Sequence, residues 1–191
     1  MRGAPVSSVP PPAQQGARDL LLDAAGAIMR EGDQVDLSLS ELAARSGLNS
    51  ALVKYYFGNK AGLLKALIER EWNEIVRSVE ALMAKDADPE TKLRIHMAGV
   101  VNTLFHHPYV HRLLLRMIRE SEEGEAQRLA DAYLKPLLDA YRRLIGEGVE
   151  AGMFRAVDPV LFYSTVIGAA DRFFSAGTVL RYCADTDVLD E

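Results

Sequence analysis

LSLSELAARSGLNSALVKYYFGNKAGLL, residues 37–64, reads as two short helices, a tight turn between them, and the opening of a long third helix. Ser38 is a good N-cap and Glu41 stands three residues later, the spacing of a capping box. Leu37 and Leu42 fall at the two positions of a hydrophobic staple, which fixes the angle at which the chain enters the helix. Leu39, Leu42 and Ala43 recur at helical spacing and predict one buried face. Gly47 stands where that helix must stop and turn, a place that commonly needs positive φ. Asn49 or Ser50 restarts a helix that runs through Phe57, and Gly58 ends it. Two helices joined by a short Gly-containing turn form a helix-turn-helix, with the second helix placed for a DNA major groove.

Bulk charge does not advertise nucleic acid. The formal net charge is −5 and the sequence pI about 5.4, whereas a nucleic-acid binder is usually basic. The imbalance is uneven: residues 1–65 carry seven Lys/Arg against six Asp/Glu, and the remainder fifteen against twenty-one. An acidic body with a near-neutral head suits a protein that touches DNA through few contacts.

Ser38, Glu41, Leu42, Ala43, Ser46, Gly47, Leu48, Val53, Tyr55, Tyr56, Phe57, Asn59, Lys60, Leu63 and Leu64 together resemble the DNA-binding head of the TetR (tetracycline-repressor) family of transcriptional regulators. The motif covers roughly the first third of the chain. The rest resembles the family in length, in its all-helical pattern and in the junction Gly152-Met153-Phe154-Arg155-x-x-Asp158-Pro159. The resemblance implies an all-α fold, with a three-helix head and a C-terminal helical bundle for ligand binding and dimerisation. It also implies a homodimer that binds a palindromic double-stranded operator and releases it when a small molecule enters the body. Such a protein is not an enzyme and needs no cofactor.

Three domains are expected: a disordered tail over 1–16, a DNA-binding domain over 17–62, and an effector-binding and dimerisation domain over 63–191. The tail holds Pro5, Pro10, Pro11 and Pro12 among Ser, Gly and Gln, a composition that cannot bury apolar surface. It lacks the apolar core of a signal peptide, and no uncharged run approaches the roughly 20 residues needed to span a bilayer. The single cysteine, Cys183, fits the reducing cytoplasm. The first helix is expected from about Ala17 to Arg30, with Leu20, Leu21, Ala24, Ala27 and Ile28 inward and Gly32 closing it. Arg18 is a phosphate contact or a solvated surface charge.

Within the second helix of the motif, Val53 and Phe57 lie four apart and read as core. Asn49, Ser50, Ala51 and Lys54 can face outward together, and these side-chain types can hydrogen-bond base edges or touch a thymine methyl. Tyr55 and Tyr56 are better suited to holding phosphates than to reading sequence. Ser38 completes the candidate DNA-contact set. Lys54 departs from the family pattern, which commonly has an aromatic there. A long helix should open at Asn59 and run to about Ala84, its first N–H groups forming a phosphate site beside Lys60.

Past the break at residues 86–89, a helix over about 90–106 carries Leu93, Met97, Val100, Val101, Leu104 and Phe105 as its apolar stripe. Pro108 can open the next helix, and Gly124 marks its end. A helix over about 125–150 follows, with Pro136 removing a hydrogen bond to Ala132 and kinking the axis. Gaps between helices are where ligands bind. The candidate pocket therefore draws on Met97, Val101, Phe105, Met117, Tyr133 and Tyr141, with His96 and Arg116 as polar anchors. Each of the apolar and aromatic members, taken singly, reads more readily as core filler; the pocket is expected because the body is larger than DNA binding alone needs. His106, His107 and His111 do not follow a metal-ligand spacing, so hydrogen bonding around the helix start is their expected role.

Asp158-Pro159 is a cap followed by a first-turn proline. The helix it opens, to about Ala176, is apolar on most sides and must be buried on most sides. Leu161, Phe162, Ile167, Gly168, Ala169, Ala170, Phe173 and Phe174 are the expected interface of a two-fold homodimer. Two other classes remain open from sequence: a DNA-binding or scaffolding dimer without an effector, and a helical enzyme. Against the latter, no nucleophile elbow, phosphate loop or carboxylate pair is present.

Overall fold

The computed structural model describes residues 12–32, 35–175 and 182. Every regular element among them is helical: α1 Pro12–Glu31, α2 Leu39–Ser46, α3 Ala51–Phe57, α4 Lys60–Met83, α5 Pro89–His106, α6 Val110–Glu120, α7 Glu123–Leu129, a π-helical turn Ala130–Leu134, α8 Lys135–Glu150 and α9 Pro159–Ser175. The chain divides into two compact units, one ending at Leu67 and one beginning at Ile68. The division falls inside α4, five residues beyond the 62/63 boundary expected from the motif. The tail over residues 1–11 and the acidic stretch over 183–191, with Cys183, lie outside the described residues.

In the N-terminal unit, α1 begins at Pro12 rather than Ala17. Proline is favoured at a first helical position, and the Ala and Gln that follow are good helix formers, so the helix extends into what reads as tail. Leu21, Leu22, Ala25 and Met29 are its buried face, whereas Leu20, expected inward, is 51% exposed. α2 packs against α1. Its N-cap forms as the spacing predicts: the Glu41 N–H donates to Ser38 Oγ at 3.1 Å. Leu37 and Leu42 are both buried, as a staple requires. Leu39 corrects the expected stripe, since it stands on the exposed side of α2. Gly47 has φ +68°, the left-handed cap conformation that a side chain resists. Asn59 caps α4 by accepting from the Gly62 N–H at 2.9 Å.

Gly62 carries a constraint the motif does not show. A Cβ there would lie 2.0 Å from the Phe57 carbonyl oxygen, so the end of α3 and the first turn of α4 come together only over a bare Cα.

In the C-terminal unit, α5 packs on α8 and α9, and α8 on α9. Asp88 caps α5 by accepting from the Thr91 N–H at 2.9 Å, and Asp158 caps α9 by accepting from the Leu161 N–H at 2.8 Å. α6 stops at Glu120, where the Ser121 hydroxyl donates to the Met117 carbonyl at 2.7 Å. Gly124, expected to end that helix, lies inside α7 instead. The irregularity expected at Pro136 sits just upstream of it, as the π-helical turn. The Tyr133 carbonyl in that turn accepts from the Trp72 indole N–H at 2.8 Å. Between α8 and α9 the chain folds back tightly. The Met153 and Phe154 N–H groups both donate to the Gly148 carbonyl, at 2.8 and 3.0 Å, and the Phe154 ring occupies the space a Cβ on Gly148 would need.

The buried face of α5 differs from the one periodicity selects. Lys92, His96, Val100 and Leu104 face inward, four residues apart. Val101 and Phe105 are 52% and 56% exposed. The two polar members hold partners on α8: Lys92 Nζ donates to Glu147 at 3.1 Å, and His96 Nε2 lies 2.7 Å from the Tyr141 hydroxyl.

Candidate nucleic-acid interface and cavity

α3 is short and amphipathic. Val53 is 1% exposed and anchors it in the N-terminal unit, while Phe57 is half-buried beneath the Arg18 guanidinium, 5.3 Å from the ring centroid. That stacking gives Arg18 a local role beside the phosphate contact it was open to. Ser38, Asn49, Ala51 and Lys54 are exposed, and Ser50 half-exposed. Tyr55 is 67% exposed and meets the half-buried Tyr56 edge-on at 4.8 Å between ring centroids. The structure thus brings the outward residues of α3 onto one accessible side. Asn49 is partly committed, because its Oδ1 accepts from the Ala51 N–H at 2.8 Å and caps α3. Its amide group retains donors for a base edge or a phosphate. Lys60 turns back into the unit: its Nζ lies 2.5 Å from Asp36 and donates to the Leu37 carbonyl at 2.9 Å. The lysine expected beside a phosphate site is therefore holding the segment ahead of α2.

The C-terminal unit contains a cavity of about 370 Å³, within the range usual for small-molecule sites. α4 lines it with Trp72, Ile75, Val79 and Leu82; α5 with His96, Val100 and Leu104; α8 with Leu137 and Tyr141; α9 with Tyr163 and Ile167. His106, His107 and His111 join His96 on its wall, so all four histidines of the chain line one space. No group of three or more His, Cys, Asp or Glu among the described residues is arranged to hold a metal ion. His107 Nδ1 instead lies 3.0 Å from Glu71, a buried carboxylate that also accepts from Arg70 at 2.9 Å.

Burial sets the protonation of this wall. It pushes the His96 imidazole below its ordinary value. It does the same to His111, against an opposing pull from Asp171. Burial also raises the Tyr141 hydroxyl, and it pushes Tyr163 up to about 12. His96 and Tyr141 thus meet as two neutral groups. The Tyr163 hydroxyl is buried and has no hydrogen-bond partner among the described residues.

Of the eight pocket candidates taken from sequence, His96 and Tyr141 line the cavity. Val101 and Phe105 face outward on α5. Met97 and Met117 are half-buried, and Arg116 donates to Glu120 at 2.8 Å along the surface of α6. Tyr133 is buried behind Trp72, their ring centroids 6.1 Å apart. Sequence reasoning passed over Trp72 and Tyr163 as pocket walls. Tyr163 and Ile167 stand four apart, and that spacing is the signal that separates the inward side of α9 from the rest. The remaining apolar residues of α9 are largely uncovered in the single chain: Leu161 is 68% exposed and Phe173 38%, with Gly168 and Ala169 exposed and Phe162, Ala170 and Phe174 half-exposed. Phe105 of α5 adjoins them, its ring 6.1 Å from that of Phe174. No helix among the described residues is long and apolar enough to cross a membrane.

Comparison with known proteins matches both units. The family described as bacterial regulatory proteins, tetR family, matches residues 21–67, and the tetracyclin repressor-like C-terminal domain matches residues 86–191. An HTH-type transcriptional regulator BetI from Stenotrophomonas maltophilia is 31% identical over 83 residues, which span 43% of this chain and 42% of the relative. Among solved structures, the fatty acid degradation regulator FadR from Bacillus halodurans superposes with a TM-score of 0.67 at 22% identity, covering 95% of this chain and 91% of its own. The TetR family regulator PfmR from Thermus thermophilus gives 0.64 at 22% identity over 82% and 93%. FadR from Bacillus subtilis in complex with stearoyl-CoA gives 0.59 at 21% identity over 90% and 91%. At these identities the structural likeness is one of fold.

Proposed function

Since the chain belongs to the tetR family of DNA-binding transcriptional regulators, we propose that it is a repressor whose operator binding is relieved by a mostly apolar small molecule. The cavity in the C-terminal unit carries this reading, because a bundle used only to hold two heads together has no need of a 370 Å³ recess between its helices. The uncovered apolar side of α9 supports a homodimer, with a second copy covering Leu161, Phe162 and Phe173. Such a dimer, working in the cytoplasm, binds a palindromic operator with its two α3 helices about 34–36 Å apart, one turn of duplex. A ligand that fits a body conformation with another spacing draws the population away from DNA, by as much as its affinity differs between the two states.

In this reading Lys54 and Tyr55 supply the main contacts from α3, with Asn49, Ser50 and Ala51 at base edges and Ser38 and Tyr56 on the backbone. Lys60 contributes through the placement of the segment it holds. Operator binding measured across a salt series tests the assignment. Lys54→Ala should weaken binding about tenfold and reduce the salt slope by about 1. Tyr55→Phe should weaken it with little change in slope. Unchanged affinity in both variants would move the reading surface away from α3. A regulator without an effector is the second reading, and it requires that no small molecule shift operator affinity.

A further inference from the structure

We propose that the cavity of the C-terminal unit takes an amphiphile with a protonated amine at one end, its apolar body inside and its ammonium at the mouth beside Glu74. The inference rests on the effector reading above and gives that effector a head group and an orientation. The cavity is open along one side, between α4 and α5. Glu74 and Ser78, four apart on α4, are wall residues exposed to solvent. So are Ile95, Gly99, Asn102 and His106, whose spacing follows one side of α5. Behind this rim the wall is apolar and buried, with Trp72, Val79, Leu82, Val100, Leu104 and Leu137. An apolar interior under a polar rim sorts a guest end to end, since a charge carried inward would lose its water without replacement.

The sign of the head group follows from the rim. Among the described residues the wall has two carboxylates, Glu71 and Glu74, and no lysine or arginine. Glu71 is buried and compensated by Arg70, with His107 Nδ1 at 3.0 Å. Glu74 is exposed, and its side chain makes no hydrogen bond or ion pair to another described residue. The same holds for Ser78 and Asn102. A carboxylate, a hydroxyl and an amide carbonyl at one rim are three acceptors for the N–H groups of an ammonium. A carboxylate or phosphate head would meet Glu74 with no fixed cation on the wall to offset it. The other polar side chains that a guest can reach, Thr103, His106 and His111, carry no fixed charge and leave the choice of sign to Glu74. Gly99 gives the mouth a steric handle. A Cβ there would meet nothing within 4 Å, so a longer side chain can stand in the opening without disturbing the helices.

Trp72 is the chain's single tryptophan and lines the cavity, so its fluorescence reports occupancy directly. The test uses the full-length protein at about pH 8, where an imidazole is ordinarily uncharged. Three probes of equal chain length are compared: octylammonium, 1-octanol and octanoate. Octylammonium should change Trp72 emission saturably, 1-octanol should bind about fivefold more weakly, and octanoate about fivefold more weakly again. Glu74→Gln should remove most of the preference for ammonium over alcohol while leaving 1-octanol affinity and the melting temperature unchanged. Gly99→Leu should weaken all three probes about tenfold with the melting temperature unchanged or raised, because glycine is the poorer helix former. Octanoate binding as tightly as octylammonium would overturn the proposal. So would an undiminished preference in Glu74→Gln, undiminished binding in Gly99→Leu, or emission that none of the probes changes. Operator affinity measured alongside separates the two readings: octylammonium binding with the expected ratios and no effect on DNA keeps the ligand chemistry and removes the effector role.

Discussion

α2 and α3 of the N-terminal unit and α5 of the C-terminal unit follow opposite rules. In the former pair the fully buried positions are apolar, Leu42 and Val53, and the outward ones are mostly polar. In α5 the inward row includes a lysine and a histidine, and the outward side shows Ile95, Val101 and Phe105. A helix whose only task is to complete a core sorts its residues by hydrophobicity. A helix that also lines a cavity, and shares an uncovered apolar side with a neighbour, is sorted by several demands at once. At His96 and Phe105 the exceptions to hydrophobic sorting coincide with the cavity wall and with the uncovered side of α9, while Lys92 is held within the fold by its ion pair to Glu147.

Four substitutions or conditions sharpen that contrast. Gly62→Ala places a Cβ against the Phe57 carbonyl, a backbone atom with no rotamer to escape into. Chemical denaturation should show a loss of about 3 kcal/mol. A loss below about 1 kcal/mol would mean that the junction of α3 and α4 is looser than the geometry implies. Next, Leu161→Asp combined with Phe173→Asp on α9 should raise the dimer dissociation constant about a hundredfold in sedimentation equilibrium. A strictly monomeric wild type at micromolar concentration removes the need for covering α9. Third, Glu147→Gln strips the carboxylate from Lys92, which is 7% exposed, and should cost about 2 kcal/mol. Adding Lys92→Met should recover most of it, since a well-filled apolar replacement no longer needs a partner. The smallest effect is the response to acid. His96 titrates below its ordinary 6.5 when folded, so the unfolded chain binds protons first as pH falls. Its contribution is complete above about 6.5 and is lost as acidification proceeds toward the folded value. The melting temperature should fall between pH 7.5 and 5.5, and His96→Gln should flatten that fall.

The N-terminal unit is legible because its signals are local. A cap three residues from its partner, a glycine at a forced positive φ and a staple are each written within a few positions, and each appears as spaced. The exact start of α1 is less so, because Pro12 reads equally as loop punctuation or as a first-turn residue. Lys60 reads as a free cation from its place at a helix start, yet its partners Asp36 and Leu37 lie more than twenty residues upstream. The cavity is legible in kind and not in membership. Its histidines and Tyr141 stand out as residue types. Which side of α5 faces it depends on partners on α8 that lie 55 and 45 residues away, and no window of α5 contains them. Tyr163 hides in a helix that is apolar almost everywhere, where periodicity has no contrast to work with.

The π-helical turn over Ala130–Leu134 bears on how this bundle can vary. One wider turn accommodates a single additional residue without lengthening the helix by a full step. Deleting one residue there would close the wide turn to the ordinary repeat and leave α7 and α8 with nearly their present faces. The Trp72 indole is joined to a carbonyl of this turn, that of Tyr133, so a one-residue change in length is felt at the wall of the cavity. The bulge thus absorbs the extra residue within one turn, and the tryptophan is the pin that holds it.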